Sequence, residues 1–220
     1  GGNAGSAFGP LLAALVVIPY GQTSIMWFAP AALLAIGILL RIGNWYKRQL
    51  NAATAAPVTA TAAAAELPRR KIRRALLVFS KYFYIACMTN YFTFFLMDKF
   101  AFSVQDAQYS LFAFLAASAA GTVIGGPLGD RIGRKYVIWG SILGAAPFAL
   151  MLPYAGSGSA VALAILVGLI ISSAFSAIVV YATDLMPGRV GMIAGLFFGL
   201  MFGLGGLGSA FFGWLADRTS

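Results

Sequence analysis

The chain has 220 residues, of which 60% are hydrophobic and 10% charged, and its mean hydropathy is +0.86. Soluble domains carry about 25% charged residues, so the composition excludes an ordinary soluble fold and indicates a membrane protein. The net charge is +9, with no histidine and a single cysteine, Cys87; an internal disulfide and a Cys-based metal site are therefore excluded, and Cys87 reads as a small packed hydrophobe.

Seven apolar runs follow in chain order, roughly 3–20, 25–43, 75–97, 106–126, 136–154, 159–182 and 190–214. Each approaches the ~20 residues that a helix needs to cross the hydrocarbon core. Barrel strands would instead alternate apolar and polar residues over about ten positions. The predicted class is an all-α membrane protein of about seven transmembrane helices. The opening GGNAGSAFGP reads as the inside of a helix and lacks a signal-peptide pattern. The chain is therefore expected to be part of a longer protein.

The first run contains Gly5-x-x-x-Gly9-Pro10. Small residues at this spacing let helices cross closely, and Pro10 removes a donor from the helix ladder. Residues 51–70 change character to an Ala/Thr/Pro-rich segment without an apolar face, which predicts a flexible linker. It ends in the basic cluster RRKIRR (69–74), read as a membrane-surface anchor. Nucleic acid is not expected as a partner, because the cations sit in short clusters between apolar runs and form no solvated basic face.

The third run is richest in intramembrane polar groups: Lys81, Tyr82, Tyr84, Thr89, Asn90, Tyr91 and Thr93 stand among phenylalanines. Polar and charged groups within a membrane segment mark a functional site by default. Lys81, Tyr84, Asn90 and Tyr91 are the substrate-cavity candidates, with Lys81 suited to attract an anionic head such as a phosphonate. Snorkelling to the interface is the alternative for Lys81. Gln105 and Gln108 are expected to cap the next helix. Ser172, Ser173 and Ser176 either face a cavity or bond their own helix. Gly191, Gly195, Gly199 and Gly203, at fourfold spacing, predict a helix-packing surface.

Orientation follows from Lys and Arg alone. With the linker placed in the cytoplasm, Arg41, Lys47, Arg48, Arg69, Arg70, Lys71, Arg73, Arg74, Lys81, Arg131, Arg134, Lys135 and Arg189 share that side. Only Lys99 and Arg218 of the 15 cations lie opposite. The net charge is thus an orientation signal. GSAF recurs at 5–8 and 208–211, a faint internal repeat between the first and last runs, and internal repeats are common in secondary transporters.

Between the fourth and fifth runs stands GPLGDRIGRK, with Gly126, Asp130, Arg131, Gly133, Arg134 and Lys135 at the fixed positions of G-x-x-x-D-R-x-G-R-K. Topology explains its cations but not its carboxylate or its glycine spacing. The segment resembles the loop motif of the major facilitator superfamily. Gly5, Gly9 and Pro10 resemble part of an antiporter helix motif, with Ala13 and Ala14 replacing its trailing glycines. The stretches from SKYFYIACMTNYFTFF through GLGGLGSAFFG resemble the fosmidomycin-resistance type of efflux transporter within that superfamily.

The resemblance implies a partial major facilitator fold equivalent to helices 5–11 of twelve. Residues 1–50 would be the last two helices of the N-terminal half, 51–70 the cytoplasmic linker, and 71–220 five helices of the C-terminal half. It also implies a charge latch between cytoplasmic loops. Gly126 and Gly129 are expected to adopt positive φ and let backbones approach. Asp130 is expected to cap the N-terminal end of the first run, and Arg131 or Arg134 to pair with Asp184. The implied activity is efflux of small drugs by alternating access in a bacterial inner membrane, with protons as coupling ion and no cofactor. Uptake of a small polar metabolite is the alternative, followed by a non-transporting scaffold. A membrane enzyme is unsupported, since there is no histidine, no Cys cluster and no mid-membrane carboxylate pair. A coupling acid is expected in helices outside this chain.

Overall fold

A computed structural model describes residues 2–52, 69–185 and 190–219; the greater part of the 51–70 linker lies outside them. Every described element is helical. Helix α1 (Gly2–Leu12) continues through a π-helical turn (Ala13–Val17) into α2 (Ile18–Tyr20). Pro10 explains the loosening: it contributes no N–H to the ladder, and the wide turn begins three residues later. A 3-10 segment (Gln22–Phe28) leads into α3 (Ala29–Ala52). Then follow α4 (Arg69–Phe100), α5 (Val104–Ile132), α6 (Arg134–Met151) with a 3-10 turn (Leu152–Tyr154), α7 (Ser157–Leu185) and α8 (Val190–Thr219).

Among the described residues four helical segments are long and apolar enough to cross a membrane: Gln22–Lys47, Val104–Ile132, Arg134–Tyr154 and Ser157–Ile178. Helices α4 and α8 have 32 and 30 residues, which at 1.5 Å per residue exceeds the hydrocarbon thickness. The predicted runs and the observed helices therefore coincide. The basic cluster at 69–74 belongs to the first turns of α4.

Helices α4 to α8 form one bundle, with α5 and α7 the most intimate pair, α6 against α7, and α8 against α4. Helix α1 packs on α5. Helix α3 stands apart: every described side chain from Ala29 to Lys47 is exposed. In a bilayer these apolar side chains lie against lipid or further protein without penalty. Among the described residues the core has three clusters, centred on Phe92, Leu96 and Phe114; on Val137, Ala174 and Ile178; and on Ala145, Val167 and Ile171.

The α5–α7 contact rests on glycine. A Cβ on Gly121 would overlap the carbonyl of Leu169, and one on Gly125 the carbonyl of Ser173. One on Gly129 would sit 3.5 Å from the Ala177 methyl. Gly168 returns the favour, with Phe114 O 2.8 Å from where its Cβ would lie. The pairs 121 with 169, 125 with 173 and 129 with 177 keep one offset in the same sense, so α5 and α7 run parallel, with α6 as the crossover between them. Missing side chains let the two backbones meet, which is how membrane helices gain dispersion energy without a hydrophobic drive.

The short link from α4 to α5 is set locally. Ala101 takes φ 52°, in the left-handed region. Ser103 caps α5: its Oγ accepts from the Asp106 N–H at 3.1 Å and donates to Asp106 Oδ2 at 2.6 Å, a reciprocal capping arrangement. Gln105, expected to cap this helix, instead donates from Nε2 to the Ala14 carbonyl at 3.1 Å. The π-helical turn of α1 begins one residue before that carbonyl. On the same side of the bundle Lys99 donates to the Pro153 carbonyl and lies over the Phe95 and Phe100 rings at 5.4 and 5.2 Å, fixing the end of α4 to the α6–α7 junction.

Candidate functional site

The GPLGDRIGRK segment is more helical than a loop motif suggests. Helix α5 continues through Ile132, Gly133 alone breaks it with φ 100°, and α6 starts at Arg134. Gly126 and Gly129 lie inside α5, so the expectation of positive φ fails for both; among the described glycines only Gly21 and Gly133 adopt it. The reason is position: a Gly three or more residues from the helix end still has both ladder partners available, and only the terminal one must reverse the chain. Gly133 N–H bonds to the Gly129 carbonyl at 3.1 Å and so closes the last turn.

Asp130 is exposed at the end of α5, and its ionic partner is Arg134, at 3.9 Å. This i,i+4 pair straddles the break at Gly133. An exposed pair at this distance contributes little stability, so its interest lies in what it can exchange for. The expected cap on the first run does not form from the described residues. Ala14 is anchored beside Gln105. Asp130 lies 25 residues further along α5, about 37 Å, while Gly2 is only 12 residues back from Ala14, about 18 Å. Arg131 and Lys135 are exposed.

Asp184 belongs to the last turn of α7, and its side chain lies outside the described residues. The backbone register nevertheless places its level: Ala177 sits beside Gly129, and Asp184 is two turns further toward the same end.

The polar residues of α4 divide between two faces. Lys81 is buried, at 3% exposure. Tyr84, one turn on, and Ile85 pack against the Ala145–Val167–Ile171 cluster of α6 and α7. Residues 81, 84, 85, 88, 92 and 96 follow the 3.6-residue period and make the bundle-facing stripe. Asn90 and Tyr91 lie on the other side, against α8. Asn90 Nδ2 donates to Ser209 Oγ at 2.8 Å, and the Tyr91 hydroxyl donates to the Ser209 carbonyl. The four cavity candidates are therefore not one cluster. Lys81 and Tyr84 share a face, whereas Asn90 and Tyr91 hold α8.

Thr89 and Ser173 bond carbonyls of their own helices, at Ile85 and Ile170, the local alternative expected for such residues. Ser209, marked in the sequence only as part of the GSAF repeat, is the hub of the α4–α8 contact. A double-mutant cycle distinguishes its two bonds. Asn90→Ala with Ser209→Ala should couple by about 0.5–1.5 kcal/mol. Tyr91→Phe with Ser209→Ala should show coupling near zero, since Tyr91 uses the backbone. Chemical denaturation in detergent reads both.

The α8 glycine stripe behaves differently from expectation. Gly195, Gly199 and Gly203 face open space, while the surroundings of Gly191 lie outside the described residues; Gly205, Gly208 and Gly213 instead receive Ala86, Phe83 and Tyr91 of α4. Gly5 and Gly9 of α1 also have open space where a side chain would project. Fourfold spacing marks a possible seam, but the partner decides which one is used.

The profile of one protein family, the Major Facilitator Superfamily, matches residues 75–220. The chain belongs to the major facilitator superfamily. The matched span holds α4 to α8, and with them both the loop motif and the polar faces of α4. This superfamily chain is 56% identical, over 225 aligned residues, to the Fosmidomycin resistance protein of Escherichia coli (strain K12). It is 40% identical, over the same length, to the Uncharacterized MFS-type transporter YfnC of Bacillus subtilis (strain 168). Both alignments cover all of this chain and 55% of the relative, so the chain spans about half the length of the curated relatives it matches. No solved structure matches it. Superfamily membership and the apolar helices together make it part of an integral membrane protein with a partial major facilitator fold.

Proposed function

We propose that the full-length protein is a secondary active transporter that exports small drugs of the fosmidomycin kind by alternating access, driven by protons. The observation that carries this is the 56% identity over the whole chain to a relative named for fosmidomycin resistance. The chain supplies one half of the working parts. Lys81, buried on the bundle-facing stripe of α4 with Tyr84 one turn deeper, would attract an anionic head group. Asn90, exposed beside its bond to Ser209, and Tyr91 would offer hydrogen bonds deeper in the membrane. The described acids Asp98, Asp106 and Asp130 stand at helix ends, so the coupling carboxylate is assigned to the remainder of the protein. The membrane is a bacterial inner membrane, with the linker in the cytoplasm, on the positive-inside distribution of Lys and Arg.

The cytoplasmic charges would act as a latch. Arg134 bonds Asp130 within its own segment, and α7 brings Asp184 toward the same end of the bundle. Exchange of Arg134, or Arg131, between Asp130 and Asp184 gives the two states different contacts. Such a difference is what shifts a two-state equilibrium.

The reading is tested by drug susceptibility of bacteria that express or lack the full-length protein. Export raises fosmidomycin tolerance severalfold, and an ionophore that collapses the proton gradient abolishes the gain. Lowered tolerance on expression would indicate uptake and overturn export; tolerance that survives loss of the gradient would overturn proton coupling alone.

A further inference from the structure

A groove of about 350 Å³ runs between α5 and α6 at the end of the bundle that carries the loop motif. Ile124, Leu128 and Ile132 form its α5 wall, Tyr136 and Gly140 its α6 wall, and Leu169 of α7 its floor. The walls are open to the surroundings: Ile124 is 55%, Ile132 57% and Tyr136 68% exposed. Its α5 wall runs from Gly121 to Ile132, eleven residue steps, or about 16 Å of helix. That is about half of the ~30 Å hydrocarbon core, the depth of a single leaflet. The cations lie at one end only. Arg131 precedes Ile132, and Lys135 precedes Tyr136, so each flanks a lining residue at the mouth. Arg134, next to them, is 3.9 Å from Asp130. An elongated apolar slot one leaflet deep, with cations at its rim, matches an acyl chain below a negatively charged head group.

We propose that this groove is a binding site for an anionic phospholipid, with an acyl chain between α5 and α6 and its phosphate held by Arg131 and Lys135. The complementarity is in both parts. Charge alone would attract anionic lipid to any basic loop, while a groove alone would accept any lipid; their junction at Ile132–Tyr136 selects the anionic one. The site lies on the loop that joins α5 to α6, so a lipid seated there bears on the Asp130–Arg134 pair as well. The proposal takes from the orientation above only the name of the leaflet.

The test is native mass spectrometry of the full-length protein titrated with phosphatidylglycerol and, separately, with phosphatidylcholine of the same chain length. The wild type should bind one phosphatidylglycerol saturably and about tenfold or more tightly than phosphatidylcholine, the advantage two cations supply near an anionic head group. Arg131→Gln with Lys135→Gln should bring phosphatidylglycerol down to the level of phosphatidylcholine. Gly140→Phe should weaken both lipids while leaving the cations in place. A Cβ at Gly140 meets only open space, so the ring fills the groove without displacing backbone. Tyr136→Ala, which removes an exposed wall, is the second groove variant and should weaken both lipids as well. Phosphatidylglycerol binding unchanged in both groove variants would mean charge attraction alone and overturn the proposal. So would equal binding of the two lipids by the wild type, or the absence of any saturable lipid.

Discussion

Gly125→Ala is expected to lower the melting temperature of the full-length protein in detergent by about 2–3 °C, whereas Gly126→Ala leaves it unchanged or raises it. The two glycines are adjacent in α5, and Gly126 is the one that the loop motif specifies. A methyl on Gly125 would overlap the Ser173 carbonyl, a backbone atom that cannot rotate away. The helices must separate, and overpacking of this kind costs about 3 kcal/mol. Alanine returns about 1 kcal/mol as the better helix former. The net of about 2 kcal/mol corresponds to the stated shift for a protein nearly twice the length of this chain. A methyl on Gly126 would find its nearest neighbour, Ser176 Oγ, at 3.7 Å, an ordinary contact. Only the propensity gain is left. Equal melting temperatures for the two variants would show that α5 and α7 do not cross as closely as described.

Arg134→Asp and Asp184→Arg are each expected to remove most transport by the full-length protein, and their combination to restore part of it. Arg134 already bonds Asp130, so reversing its charge breaks that pair and sets two carboxylates one turn apart. Asp184→Arg replaces the acid of α7 with a further cation at the end of the bundle that already carries Arg131, Arg134 and Lys135. In the double variant one pair of opposite charges is available again at the latch. Coupling between contacting charges runs at about 0.5–3 kcal/mol, and each 1.4 kcal/mol is about tenfold. Drug tolerance of cells carrying the single and double variants gives the measurement, with Arg131→Asp as a parallel arm. If neither double variant exceeds its singles, Asp184 is not the partner of this segment. The Asp130–Arg134 pair would then be a local helix-end contact only.

The membrane class, the seven helices and the family were legible in the sequence. Apolar runs separated by short cationic turns leave a helix as the only way to satisfy the backbone in lipid, so run length alone marks the spans. The loop motif was legible because its carboxylate and glycine spacing are not needed for topology. Its internal geometry was not: glycine in a motif suggests freedom of φ, yet Gly126 and Gly129 are helical, and Gly133 makes the turn alone. The polar residues of α4 were found, but their division into a bundle face and an α8 face was hidden. Ser209, the acceptor for Asn90 and Tyr91, lies more than a hundred residues away.

What the sequence by itself determined, then, is the set of helices and the residue types at the turn between α5 and α6, because each depends on residues close together in the chain. Which glycines carry a helix crossing was decided only by the tertiary structure. Gly195, Gly199 and Gly203 have the same fourfold spacing as Gly121, Gly125 and Gly129, yet the first set faces open space and the second faces α7, Gly121 and Gly125 against its backbone and Gly129 against the Ala177 methyl. Spacing is a property of one helix, while a seam requires a second helix at the right register. For α5 that partner is the parallel α7, whose Gly168 provides the answering gap.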